Sequence, residues 1–429
     1  MAPYLILVGA IALYALAASR LQYFYITGPI IFVAIGFFLG SGGVSLIDLG
    51  PGTTLVRTVT SVTLALLLFS DASKIRLGAL GRDAGLIGRL LLVALPLAIV
   101  LGTGVGWLLL PALGVGMWVL LATILAPTDL SLGLAMFGNP RVPGRVSRMI
   151  NVESGLNDGI AAPLVTLFIG WAVTEAEHGS GPLREAVAEI AIGVGIGLAV
   201  GLLGGLLLRV SRKSGWSSAA SRQYSTLALT LVAYGGAVAL HGNGFIAAFV
   251  GGIAFGIMAR EDAHETVEYA EKTGTLLTFG VWFVFGTAVA PVIISDGLSW
   301  RPVLYALLSL TFVRMAPVAL SLLGKKLQGS TLLFVGWFGP RGLASVVFLI
   351  LALEQLAKDG IETSLLTATV GWTVLLSVVL HGISAGPVAG WYGSRAEKFP
   401  PGSPELEPAG EAHSGRSLAR PASVHGSQE

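Results

Sequence analysis

The chain has no cysteine and little charge. Without cysteine there is no disulfide framework, no thiolate metal site and no cysteine nucleophile. Charged residues make up 12% of the 429 positions, about half the share of an ordinary soluble domain. The two signs nearly cancel, with 26 Lys and Arg against 24 Asp and Glu. A formal net charge of +2 leaves no basic footprint for nucleic acid. No phosphate-cradling loop, Ser-His-Asp arrangement or clustered histidine metal site stands out, so no catalytic residue is assigned and the chain does not read as an enzyme. What is present instead is apolar sequence: 54% hydrophobic residues, a mean hydropathy of +0.80 and 58 glycines. Glycine is common where membrane helices pack closely.

Apolar segments recur from end to end, at about 3–19, 23–40, 53–70, 84–110, 115–137, 147–173, 186–208, 223–241, 244–260, 273–294, 302–323, 330–353 and 364–392. Each is long enough for a hydrocarbon core of ~30 Å. The fold class is therefore an all-α membrane protein of about 13 transmembrane helices. The first stretch, Pro3 to Ser19, lacks a basic n-region and an A-x-A site, and reads as a first membrane helix rather than a cleaved leader. The turn Gly242-Asn243-Gly244 separates spans eight and nine. Basic residues mark one side. Lys74, Arg76, Arg82 and Arg89, then Arg141, Arg145 and Arg148, then Arg209, Arg212, Lys213 and Arg222 fall in alternate connections. The opposite connections carry only Arg57, Arg184, Arg301 and Lys358. Positive residues accumulate in the cytoplasm, so the N-terminus is expected outside and the C-terminus inside. From Gly393 onward Pro, Gly, Ser, Glu and Ala dominate without an apolar period. Residues 1–392 thus form the membrane domain, and 393–429 are expected to be a disordered cytoplasmic tail.

A few charges lie within the spans: Asp71 at the end of the third, Asp129 in the fifth, Glu153 and Asp158 in the sixth, Arg314 in the eleventh and Arg341 in the twelfth. A charge at the bilayer centre costs about 2.5–3.5 kcal/mol or more, so such residues pair, face a cavity or take up a proton. Two stand beside prolines inside apolar runs, in Ala126-Pro127-Thr128-Asp129 and Gly339-Pro340-Arg341-Gly342. Proline removes a helical hydrogen bond and breaks the turn before it. Both interruptions fall in the fifth span of a set of six, the sets being about 1–173 and 223–392, with a linker helix at about 186–208. That placement is expected of inverted repeats whose broken helices cross near the midplane. In Asn151-Val152-Glu153-Ser154-Gly155-Leu156-Asn157-Asp158-Gly159, Ser154 and Asp158 share one helix face and Glu153 and Asn157 the adjacent one. A dehydrated Na+ needs oxygen ligands of these kinds. Glu153 is also the natural partner for Arg314 or Arg341.

Thr128-Asp129, Glu153-Ser154, Asn157-Asp158 and Gly339-Pro340-Arg341-Gly342 resemble the monovalent cation/proton antiporter family, in its electroneutral NhaP/NHE-type branch of sodium/proton antiporters. The resemblance covers nearly the whole chain up to the tail. It implies a 13-helix homodimer in the plasma membrane, with membrane lipids around it, no cofactor, and a monovalent cation and a proton as substrates. It implies that Asp158 and Asp129 carry the ion and proton. Ser154 and the Thr128 carbonyl would help to coordinate, and Asn157, Glu153 and Arg341 would form a supporting network. Arg314 matches a family arginine in the adjoining helix. Two departures are visible. Leu130 follows the T-D pair where many members have Pro. Phe69-Ser70-Asp71-Ala72 stands where many have a Glu, so Asp71 is a possible additional ligand. Na+ or Li+ is the expected cation, and K+ would use the same chemistry. A passive channel would need a filter loop, and an intramembrane aspartyl protease would need Y-D and G-x-G-D contexts that this chain lacks. His241 reads as a helix-end residue, and the acidic stretch 261–271 with His264 as a solvated face.

Overall fold

The computed structural model describes residues 2–23, 26–47, 53–75, 83–133, 139–177, 181–260, 263–295 and 299–407. They form fourteen helices, and there is no strand among the described residues. In chain order these are α1 (Ala2–Tyr23), α2 (Gly28–Leu39), α3 (Thr54–Ser73), α4 (Ala84–Leu109), α5 (Val115–Ile124), α6 (Gly144–Glu177) and α7 (Gly181–Lys213). Then come α8 (Ala219–Ala239), α9 (Gly244–Ala259), α10 (263–295), α11 (Trp300–Ser321), α12 (Gly329–Trp337), α13 (Leu343–Lys358) and α14 (Ser364–Ala396). Seven of them, α3, α4, α6, α7, α10, α11 and α14, are long and apolar enough to cross a membrane. The architecture is that of a multi-pass membrane protein.

Proline explains most irregularities. The fifth apolar run stops being helical at Ile124, three residues before Pro127, and among the described residues resumes as a short 3-10 turn, Leu130–Gly133. The twelfth is two helices, because α12 ends at Trp337 and α13 begins at Leu343, with Pro340 between them. Two gentler adjustments follow the same cause. Each π-turn, Leu90–Ala94 in α4 and Phe285–Val289 in α10, ends two residues before a proline, Pro96 or Pro291. The carbonyl four residues before a proline is the one its ring displaces, and here it lies inside the widened turn.

Packing is set by small residues. Gly193, Gly197, Gly201 and Gly205 repeat every fourth position along α7 and lie against α9. A Cβ on Gly197 would stand 2.7 Å from the Ala247 carbonyl oxygen, so a side chain there would force the two backbones apart. The turn into α9 is closed by Asn243, whose Oδ1 accepts from the Phe245 and Ile246 amides at 3.0 Å each.

The C-terminal segment differs from the sequence expectation. Gly393–Ala396 complete α14, and residues 397–407 run back across the bundle. Glu405 is 1% exposed. Its Oε1 accepts from the Gln328 amide at 2.7 Å and from Thr331 Oγ1 at 2.9 Å, at the start of α12. Arg145, near the start of α6, donates to the Pro404 carbonyl, pairs with Glu407 at 2.9 Å and pairs with Asp83 at 2.7 Å. Arg148 also pairs with Asp83. The composition reads as a tail because the partners of these residues lie far away in sequence. Residues 408–429 lie outside the described residues.

Candidate ion-binding site at the crossing of two broken helices

The break after α5 and the break between α12 and α13 meet, and each satisfies the other's backbone. The Asp129 amide donates to the Pro340 carbonyl at 2.8 Å. In return the Leu343 amide, the first of α13, donates to Asp129 Oδ2 at 2.8 Å. The second carboxylate oxygen, Oδ1, accepts from the Ser131 amide at 2.9 Å. Asp129 therefore caps two helix starts at once, where exposed amides and the helix dipole favour an anion. Gly342 leaves room for this contact. A Cβ there would lie 2.6 Å from Asp129 Cβ. Gly342→Ala is expected to push Asp129 off α13 and to lower cation-coupled transport in vesicles at least tenfold, roughly the effect of one lost charge-assisted hydrogen bond. Transport at the parent rate would mean that the crossing yields without consequence.

Helix breaks free carbonyls, and four of those around the end of α5 are covered by side chains. The Ile124 carbonyl accepts from Ser345 Oγ at 2.8 Å. The Ala126 and Pro127 carbonyls accept from Arg341 Nη1 at 2.6 and 3.1 Å. The Thr128 carbonyl accepts from Ser154 Oγ at 2.6 Å. Arg341 is 1% exposed, and its charge holds two of these oxygens against any cation. Thr128, like Ile124, has a neutral hydroxyl as its donor, which can rotate away and offer a lone pair instead, and of the two hydroxyls Ser154 is the one that shares a helix face with Asp158.

On α6, Asn157 fixes Thr128 from the side. Its Nδ2 donates to Thr128 Oγ1 at 2.7 Å and to Glu153 Oε1 at 3.3 Å, and its Oδ1 accepts from the Thr128 amide at 3.3 Å. Glu153 is fully buried and receives both terminal nitrogens of Arg314, at 2.9 and 3.0 Å. Of the two arginines that the sequence offers Glu153, the structure pairs it with Arg314 and gives Arg341 to backbone oxygens. Asp158 is half-buried, one turn beyond Ser154 on the same face. Asp71 is also brought to this helix, its Cβ 3.5 Å from where a Cβ on Gly155 would sit. Toward the opposite end of α6, a cavity of about 650 Å³ is lined by Arg57, Thr60, Thr166, Glu189, Asn243 and Glu354, among others. At its wall Asn243 Nδ2 donates to Thr166 Oγ1 at 2.6 Å, joining α9 to α6.

The transmembrane part of the sodium/hydrogen exchanger family matches residues 6–391. This chain belongs to the sodium/hydrogen exchanger family. The exchanger is similar to a Na(+)/H(+) antiporter of Schizosaccharomyces pombe, 25% identical over 306 residues that cover 63% of this chain and 64% of the relative. It is also similar to a K(+)/H(+) antiporter, NhaP2, of a Shewanella species, 26% identical over 368 residues that cover 83% of this chain and 61% of the relative. The chain thus spans less than two thirds of either relative's length. Its fold is that of the sodium proton antiporter MjNhaP1 from Methanocaldococcus jannaschii at pH 8, with a TM-score of 0.72, 19% identity, and coverage of 90% of this chain and 98% of that one.

Sequence reasoning passed over four residues at this crossing: Ser345, Ser377, His381 and Ser384. His381 had a signal, being a histidine four residues after a serine within an apolar run, and titratable residues inside the membrane are functional by default.

Proposed function

We propose that this exchanger trades Na+ for H+ across the plasma membrane by alternating access, one proton per cation. The reading rests above all on the Thr128 carbonyl, whose donor, Ser154, stands on the same face of α6 as Asp158 and can itself become a ligand. When the cation arrives, the Ser154 hydroxyl turns away from that carbonyl and both oxygens face the ion. Asp158, on the same face of α6, supplies the negative charge, and its proton leaves to water. With the cation gone, a proton takes its place. A bare carboxylate is costly to bury, so the loaded forms are the ones that cross between the two sides. Asp129 shapes the site through the two amides that it caps, and Asp71 stands by as an added oxygen donor. Asn157 carries no charge to titrate, and the Glu153 charge is committed to Arg314. One exchanging carboxylate gives electroneutral exchange. The chain would act as a homodimer with its N-terminus outside, and no cofactor enters the cycle.

Potassium is the second reading, favoured by the relatives named for K(+)/H(+) exchange. The test is dissipation of a pH gradient in proteoliposomes, with Na+, Li+ and K+ added in turn. Recovery with Na+ or Li+ supports the first reading, and recovery with K+ alone selects the second. No response to any cation overturns both. Ser154→Ala removes one neutral ligand. It is expected to raise the half-saturating cation concentration about tenfold, the effect of losing roughly one coordinating oxygen's hydrogen-bond-like energy. An unchanged value would take Ser154 out of the site.

A further inference from the structure

The break between α12 and α13 leaves two peptide groups without their helical partners. In a continuous helix the Arg341 amide would donate to the Trp337 carbonyl, four residues back. Pro340 prevents that turn from closing. Helix α14 supplies an acceptor for the Arg341 amide and a second donor for the Trp337 carbonyl, which also accepts from the Gly339 amide at 2.8 Å. The Arg341 amide donates to Ser377 Oγ at 2.7 Å. One turn further along α14, His381 Nε2 lies 3.0 Å from the Trp337 carbonyl oxygen. That oxygen only accepts, so Nε2 carries a proton. His381 Nδ1 is 3.3 Å from Ser377 Oγ and 3.1 Å from the Ser377 carbonyl. The neutral ring completes a chain of donors from Arg341 through the Ser377 hydroxyl to the imidazole and on to Trp337.

Ser377 and His381 are both wholly buried. The Trp337 ring stacks on the imidazole with centroids 4.9 Å apart, and its Nε1 donates to Ser384 Oγ at 3.0 Å. The last residue of α12 is thus fastened to α14 by its carbonyl, its ring face and its indole nitrogen.

We infer that Ser377 and His381 are a positioning pair: a two-residue relay inserted in place of the missing 341-to-337 hydrogen bond, which holds the α12–α13 break open and sets the geometry of the ion site. The link to the ion runs through Arg341. The relay holds its amide, and its guanidinium holds the Ala126 and Pro127 carbonyls. Thr128 is the next residue. The second half of this inference rests on the ion-site reading above.

The test pairs two readouts on the full chain. Hydrogen-deuterium exchange of peptides covering 337–343 reads the relay without reference to transport. Half-saturating Na+ and maximal rate in proteoliposomes read the ion site. In Ser377→Ala and His381→Ala, exchange across 337–343 is expected to quicken. The half-saturating concentration should rise about tenfold, the effect of one buried hydrogen bond on a binding constant, with the maximal rate changing less. His381→Gln, whose amide can reach Trp337, should recover most of both effects, and His381→Asn, which cannot, should resemble Ala. The double alanine variant should be no worse than the weaker single one, because the relay is one unit. Unchanged deuterium exchange in both alanine variants overturns the relay. Quickened exchange with unchanged half-saturation overturns its role at the ion site. If the parent protein moves no cation, the ion-site reading has failed, and the deuterium arm alone decides the relay.

Discussion

Asp158→Asn is expected to abolish cation-coupled proton movement in proteoliposomes while the protein remains folded. The substitution keeps the shape of the side chain and removes its ability to ionise. Asp158 is half-buried on α6, a turn beyond Ser154, so an amide fits where the carboxyl stood and the bundle has no reason to open. Transport has a strong reason to stop. The cation loses the one compensating charge assigned to it, and the proton loses its carrier. A hydrogen-bond-strength contact to a charged group is worth about 1.5–3 kcal/mol, so cation affinity alone should fall ten- to hundredfold. The loss of a titrating group should remove coupling altogether. The check is the pH-gradient assay run beside thermal unfolding of the purified variant. Unfolding at the parent temperature with no recovery on Na+ is the expected pair of results. Recovery at the parent rate would remove Asp158 as the carrier. A collapsed melting profile would recast it as structural.

Glu153→Ala is expected to cause the largest stability loss of any single substitution at the crossing. Glu153 is fully buried, Arg314 is 2% exposed, and the two meet through two parallel hydrogen bonds. Removing one partner of a buried pair leaves the other charge stranded, at a cost of about 3–5 kcal/mol. Asn157 also loses an acceptor at 3.3 Å, which loosens its hold on Thr128. The reverse change, Arg314→Met, strands the carboxylate and should cost a similar amount. Replacing both, as Glu153→Leu with Arg314→Met, removes both charges and should regain most of the stability, since well-packed apolar pairs often do as well as buried ion pairs. Thermal unfolding of the three variants in detergent measures the coupling. If the double variant loses the sum of the single losses, the two residues stabilise the fold separately and the pairing carries nothing.

Much of this was legible in the sequence, for physical reasons that also mark where it stopped. Apolar length and proline are local signals, so the helices and both breaks could be read directly. The six intramembrane charges stood out because a bilayer makes each one expensive. Their partners were a different matter. Glu153 faced two arginines, and only packing decided that Arg314 takes the carboxylate while Arg341 takes carbonyls 215 and 214 positions away. The double capping by Asp129 was equally hidden, because it depends on where α13 begins relative to the other break. Gly242-Asn243-Gly244 was read correctly as a turn because an Asn followed by Gly before an apolar run is a complete local capping signal. Glu405 had no such signal. Its neighbours are those of a loose tail, and only the amide of Gln328 and the hydroxyl of Thr331 make its burial tolerable.

The segment that ends at Glu407 fastens more than itself. It reaches from the end of α14 to the foot of α12 and to Arg145 at the foot of α6. Asp83, immediately before α4, is drawn into the same knot by Arg145 and Arg148. Helix α6 carries Asp158 and Ser154, and α12 leads into the break that crosses Thr128. The two elements that carry the proposed ion site are therefore stapled together at one end of the molecule. A motion that opened the site by parting α6 from α12 would have to tear buried hydrogen bonds to Glu405 and Arg145.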